Sequence, residues 1–330
     1  MLLRLLKYNT TTGYLLIPLL AVVAWLPALR TGSYRQMAFD DVPMPLYELL
    51  TGFLAHNTLA SKLTALAVLI LIGFYLIRFN NKYLFIRDRT LLPAFFFILI
   101  SSSLLSLHRL HPALIAAAFF IAALEKLLDS YRSERLSYNY FEASFLIATG
   151  SLFYFNIIYF VVLIWIALLI LRPVIWREWV FSVSGLAGPW MFFAASDYFM
   201  NDSLERTVSL VSQNFTIVDS GNFMGLPEQI LFSIMLLLII LASRKFAATM
   251  PKMKVLPRKV FILFFWVYIL SVVIFLLVET ANVEIAIIAT IPVSYLMSQF
   301  VLSLRPGFWS NAILWLTVAG LQILVWLPWR

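Results

Sequence analysis

Runs of 16 to 21 nearly uncharged residues recur along the whole chain, among them "YLLIPLLAVVAWLPAL" and "VFILFFWVYILSVVIFLLV". Folded as a helix, such a run rises 1.5 Å per residue and reaches across a hydrocarbon core of about 30 Å. Inside that core no water is present to satisfy backbone N–H and C=O groups, so a segment must bond within itself or close into a barrel. Barrel strands would show short alternating patterns, whereas these blocks are solidly apolar. The chain is therefore expected to be an all-α, polytopic transmembrane helix bundle. Composition agrees: 62% of the 330 residues are apolar and 12% are charged, about half the charged share of an ordinary soluble domain.

The start, "MLLRLLKYNTTTGYLLIPLLAVVAWLPAL", has the basic head and apolar stretch of a signal peptide. The following "RTGSYRQ" lacks the small-residue cleavage pattern, so residues 14–29 are expected to stay as a first span. There is no cysteine, which excludes disulfides, thiol catalysis and cysteine metal sites. The net charge of +8 fits a cytoplasmic excess of Lys and Arg better than a nucleic-acid partner.

About eleven spans can be drawn, at 14–29, 59–78, 91–107, 112–128, 142–155, 157–171, 179–199, 228–243, 260–278, 285–303 and 309–327. With the N-terminus in the cytoplasm, 18 of the 24 Lys and Arg fall inside and ten of the 16 acids outside. Charge asymmetry thus predicts an N-in, C-out topology. The short pair around Asn156 is the point on which the later orientation turns. Residues 1–330 read as a single integral membrane domain without a soluble part. The larger connections are an outer loop at 30–58, a second outer loop at 200–227 and a basic cytoplasmic loop at 244–259. Within the first, "PMPLYELLTGFLAHN" at 43–57 is too short and polar to span. It reads as an amphipathic helix lying at the interface, started by Pro43 and Pro45.

The outer loop also holds the adjacent acids Asp40 and Asp41. They are the candidate catalytic residues, as a base for an acceptor hydroxyl, and the candidate metal ligands, since paired carboxylates suit a divalent cation such as Mg or Mn. The plainer reading is a solvated loop. A lipid-linked phosphate at that face would need a cation, and Arg35, Arg109 and Arg206 are the candidates because a guanidinium grips phosphate with two parallel bonds. Arg172 and Arg305, in two Leu-Arg-Pro turns, and Arg177 are expected to cap helix carbonyls or meet lipid or a partner on the cytoplasmic side. His108 and His111 read as polar turn residues before Pro112. Glu142 and Glu178 are placed at helix starts, and Glu279 and Glu284 flank a short outer turn. None of these four is placed at mid-membrane, which speaks against an ion-coupled transporter. Gly185, Gly188 and Pro189 read as a close helix contact or a kink.

The order of a cytoplasmic start, a first span, the acid-bearing loop with Asp40-Asp41, and the interfacial "PLYELLTGFL" resembles the GT-C superfamily of polyprenyl-phosphate-sugar-dependent glycosyltransferases. That resemblance implies a catalytic or metal-linked role for the first-loop acid. It also implies a polyprenyl-phosphate-linked sugar as ligand. The second acidic motif and the soluble C-terminal domain of many members are not found in this sequence. "LLILRPVIWREWVFSVSGLAGPW", residues 168–190, is similar to a segment of an uncharacterised family of Bacteroidota membrane proteins, which implies a bacterial inner membrane. The functional expectation is a protein of cell-envelope glycan or glycolipid assembly, a transferase or an inactive relative. A non-catalytic subunit docked on other inner-membrane proteins is the alternative, and a lipid or solute transporter the third.

Overall fold

The computed structural model describes residues 6–7, 10–30, 44–54, 58–86, 89–103, 107–131, 138–173, 175–215, 226–278, 280–304 and 320. Among these residues every regular element is a helix. In chain order they are α1 Thr11–Arg30, α2 Pro45–Leu54, α3 Thr58–Tyr83, α4 Leu92–Ser101, α5 Pro112–Asp129 and α6 Asn139–Ser151. A 3-10 stretch, Phe155–Phe160, then leads into α7 Val161–Leu171, followed by α8 Trp176–Asn201 and α9 Glu205–Phe215. The last are α10 Leu226–Thr249, α11 Val255–Leu277 and α12 Ala286–Ser303.

Local chemistry sets the boundaries. Pro112 occupies the first turn of α5 and leaves His111 extended at φ −124°, ψ 152°, as the residue before proline favours. Helix α3 ends where Leu84 turns left-handed at φ 48°, and Asn80 holds the exit by accepting the Ile86 N–H at 3.1 Å. Asp202, also left-handed, closes α8. Asp197 then accepts from the Thr207 backbone N–H at 3.0 Å and from its hydroxyl at 2.8 Å, tying α8 to the first turn of α9.

The bundle is organised around α12, which is buried along most of its length and packs on α4, α5, α10 and α11. Helix α4 is buried at all ten positions. Tyr295 of α12 stacks on Phe264 of α11 with centroids 4.9 Å apart and donates its hydroxyl to the Leu76 carbonyl at 2.7 Å. Phe79, Phe85 and Phe261 surround that pair edge-on or tilted. The outward faces are apolar as well: Leu15 and Leu19 on α1 and Phe192, Phe199 and Met200 on α8 are exposed. Apolar groups both inside and outside are what a bundle in lipid requires.

Among the described residues four helical stretches are long and apolar enough to cross a membrane: Thr11–Leu29, Leu59–Tyr83, Val255–Leu277 and Val283–Ser303. Other apolar runs fold shorter than their sequence suggests. Only Leu92–Ser101 of the expected span 91–107 is assigned to α4, a rise of about 15 Å. Beyond it the Ser103 backbone N–H bonds to the Ile100 carbonyl at 3.1 Å, a tighter three-residue turn in place of the i to i−4 helical bond. The expected pair 142–155 and 157–171 becomes α6 and α7, joined by a non-α segment that contains buried Asn156.

Polar contacts between helices collect at two ends. On α3, Lys62 donates to the Ala28 carbonyl at 2.6 Å and Lys82 to Glu125 at 2.7 Å. The twenty residues separating those lysines rise about 30 Å, the thickness of a hydrocarbon core. The Lys62 end also receives α2, α9 and the turns at 107–111, 152–156 and 280–285. The Lys82 end gathers Glu125, Asp129, Tyr131, Arg172, Glu178 and Lys259.

Candidate functional site: a buried polar cluster beneath helix α2

Helix α2 lies across the Lys62 end of the bundle. Its Leu46 N–H bonds to the Leu152 carbonyl at 3.1 Å, and the Tyr47 hydroxyl donates to the Leu110 carbonyl at 3.0 Å. Met44, just before it, is 1% exposed and accepts a long contact from the Asn214 amide of α9. Ten residues with one polar and one apolar face cannot cross a bilayer, and here they seal the ends of longer helices.

Beneath α2 the turn between α4 and α5 carries His108, Arg109 and His111. Both histidines are buried, at 2% and 0% exposure. His108 packs its ring on Trp25 with centroids 4.5 Å apart, and its Nε2 lies 3.1 Å from the Ser102 carbonyl. Burial pushes His108 down to about 4 and His111 down to about 3, so both are neutral at neutral pH. Arg109 is half-buried. Burial lowers its pKa, while Tyr47 and Glu284 act in the opposite direction and favour the cation. Glu284, in the turn Val283–Ile285 that packs on α5, is 2% exposed. The turn thus sets one guanidinium and two neutral imidazoles beside the Tyr47 phenol, and the segment carrying Glu284 packs on α5. Such a set can bind an oxyanion through Arg109 and neutral donors.

The sequence candidates fall in different places. Asp40, Asp41 and Arg35 lie outside the described residues, a few positions before buried Met44. Arg109 belongs to the cluster. Arg206 is on α9 and pairs with Glu48 at 2.8 Å, both side chains about half exposed. Neighbouring α2 residues therefore reach the two arginine segments separately, Tyr47 toward 109–110 and Glu48 toward 206. Among the described residues no three His, Asp or Glu stand together as a metal site.

At the other end, Arg172 pairs with a carboxylate of the next helix. It donates to Glu178 at 2.8 Å with the two side chains 9% and 0% exposed. Lys259 donates to the Leu171 carbonyl at the end of α7 at 3.1 Å. Arg177 lies over the Trp176 ring at 5.9 Å, and Arg305 is outside the described residues.

Two further carboxylates, Glu125 and Asp129, form a charged group at this end. Glu125 of α5 is nearly buried and accepts from Tyr75 and from Lys82 at 2.7 Å, with Arg78 4.0 Å away. Asp129 accepts from Tyr83 at 2.6 Å and Lys82 at 2.9 Å. The signal was present as acids four apart, 125 and 129, facing bases four apart, 78 and 82, each set on one helix face. An apolar cavity of about 130 Å³ between α1 and α4, lined by residues such as Leu20, Ala24, Phe95 and Leu99, carries no group for chemistry.

Among the described residues the elements are all helical and four are long and apolar enough to span a bilayer, which makes the class a polytopic membrane protein. Residues 35–327 match a family of unknown function, DUF6427, and the chain belongs to that family. No curated protein and no solved structure matches the chain.

Proposed function

We propose that this chain works in cell-envelope glycan or glycolipid assembly in a bacterial inner membrane, on a GT-C-like scaffold of about eleven spans with its N-terminus inside. The α2 end would face outward. There Arg109 would hold the phosphate of a polyprenyl-linked sugar, and Asp40 or Asp41 would serve as base or as oxygen ligand to a divalent cation, Mg or Mn. Arg35, on the same loop, would add a second grip on the phosphate. The supporting observation is the burial of His108 and His111 beside Arg109, in the turn that Tyr47 ties to the helix following the two acids. Buried ionisable groups in a membrane bundle are expensive and mark functional sites by default. The test is glycan composition in a deletion strain complemented with Asp40→Asn, Asp41→Asn, the double variant or Arg109→Gln. Loss of one glycan species with normal protein levels supports the proposal; an unchanged profile in all four refutes it.

A second reading is a non-catalytic subunit of a larger membrane complex. It is favoured by the engagement of Arg206 with Glu48 and of Arg172 with Glu178, which commits two candidate cations to carboxylates. Purification in mild detergent separates the two readings: a stoichiometric membrane partner supports the subunit, and a lone chain counts against it.

A further inference from the structure

The cavity between α1 and α4 is a gap inside a helix contact. Ile17, Leu20 and Ala24 line it from α1, and Phe95, Ile98 and Leu99 from α4. Residues three or four apart share one helix face, so two apolar stripes meet here without filling the space between them. Val23, also on the wall, is 44% exposed, and the cavity therefore reaches the outside of the bundle. Leu15, Leu19 and Val22 of the same helix are exposed too, so the medium at that mouth is apolar. Ala28, whose carbonyl accepts from Lys62, stands four residues beyond Ala24 and eleven beyond Ile17. The wall thus lies about 6 to 16 Å inside the Lys62 end, in the half of a core of about 30 Å that one leaflet's chains fill. Water would need polar partners, which these side chains do not offer. Left empty, the lining would lack dispersion contacts on one side. A dry apolar cavity of about 150 Å³ admits a benzene-sized guest. At about 130 Å³, this one takes a stretch of about five carbons.

We propose that this cavity is a lipid site, which takes the middle of one acyl chain of a bilayer phospholipid from the leaflet at the Lys62 end. The headgroup stays near the level of Lys62, and the chain enters past Val23 to complete the contact between α1 and α4. The occupant is a phospholipid because acyl chains are the medium at the mouth and no lining side chain selects a headgroup. The site is independent of the phosphate site at Arg109.

The test places the full chain in nanodiscs of phosphatidylethanolamine and phosphatidylglycerol. The probe is a phosphatidylethanolamine with a diazirine midway along one acyl chain, and labelled residues are mapped by mass spectrometry after irradiation. Wild type is expected to be labelled at Phe95 and Leu99, which are 2% and 4% exposed, as well as on the exposed face of α8. Ala24→Leu fills the cavity and should cut labelling at 95–99 about fivefold, with Phe192 and Phe199 labelled as before. Val23→Phe, at an exposed position, narrows the mouth and should act in the same direction; it decides the matter if Ala24→Leu fails to accumulate. Wild type labelled only on exposed faces overturns the proposal, as does labelling at 95–99 that neither variant lowers. Loss of that label on adding a trace of polyprenyl phosphate also overturns it, because the occupant would then be an isoprenoid chain.

Discussion

Asn156 and Thr280, 124 residues apart in the chain, exchange two hydrogen bonds of 3.0 Å. The Asn156 amide donates to the Thr280 carbonyl, and the Thr280 hydroxyl donates back to the Asn156 side-chain oxygen. They join the α6–α7 connection to the α11–α12 connection at the α2 end. Asn156 is 1% exposed, so Asn156→Leu leaves a hydroxyl and a carbonyl without these bonds. The expected loss is about 1–3 kcal/mol, read as a lower thermal transition in detergent. An unchanged transition would show that the pair contributes nothing.

Much of this architecture was legible before any coordinates. Solid apolar blocks announced helices in a membrane, and Pro45 and Pro112 announced the starts of α2 and α5. Glu142 and Glu178 stand in the first turns of α6 and α8, as expected. What was not legible depends on which faces meet. Hydropathy alone does not separate a ten-residue buried helix such as α4 from a full span, because both are uniformly apolar. Burial of His108 and His111 was hidden for a related reason: polar residues in a turn read as solvated until another element, here α2 bonding to Leu110 through Tyr47, is seen to lie over them. Asp40 and Asp41 lie outside the described residues, so their role stays with the proposal.

The cluster should make stability depend on pH. His108 and His111 have folded values of about 4 and about 3, below the unfolded value of about 6.5. The unfolded chain therefore binds more protons in this range, and stability is complete above the unfolded value and lost as pH falls below it. Each histidine costs about 1.4 kcal/mol per pH unit inside that window. Thermal scans between pH 7.5 and 5.0 should show a falling transition, with a shallower slope in the His108→Asn, His111→Asn chain. A slope identical in both chains would mean that the imidazoles are solvated.

At the opposite end, the Arg172–Glu178 pair is almost wholly buried. Arg172→Met would strand the Glu178 carboxylate, at a cost of about 3–5 kcal/mol. Adding Glu178→Leu should recover most of the loss, since two apolar residues leave no charge behind. A double-mutant cycle on thermal stability checks this, and additive effects would contradict the pairing.

Helices α6 and α8 approach at Gly185, where an added Cβ would overlap the Phe141 carbonyl oxygen. Backbone cannot yield as a side chain can, so Gly185→Ala is expected to cost about 1–3 kcal/mol. At Gly188 the nearest atom is a Phe145 ring carbon at 3.3 Å, which can rotate away. Gly188→Ala should therefore lower the heat-resistant fraction on size-exclusion chromatography less than Gly185→Ala does. Equal losses would place the close approach elsewhere.

The most direct test of the central claim is to find where a lipid phosphate sits. A polyprenyl monophosphate with a photoreactive group next to its phosphate is irradiated with the full chain in nanodiscs, and the labelled residues are mapped by mass spectrometry. The account predicts labelling at Tyr47 and at 109–111, suppressed by unlabelled polyprenyl phosphate and lost in Arg109→Gln. Labelling confined to the exposed face of α8, or insensitive to competitor, would contradict it.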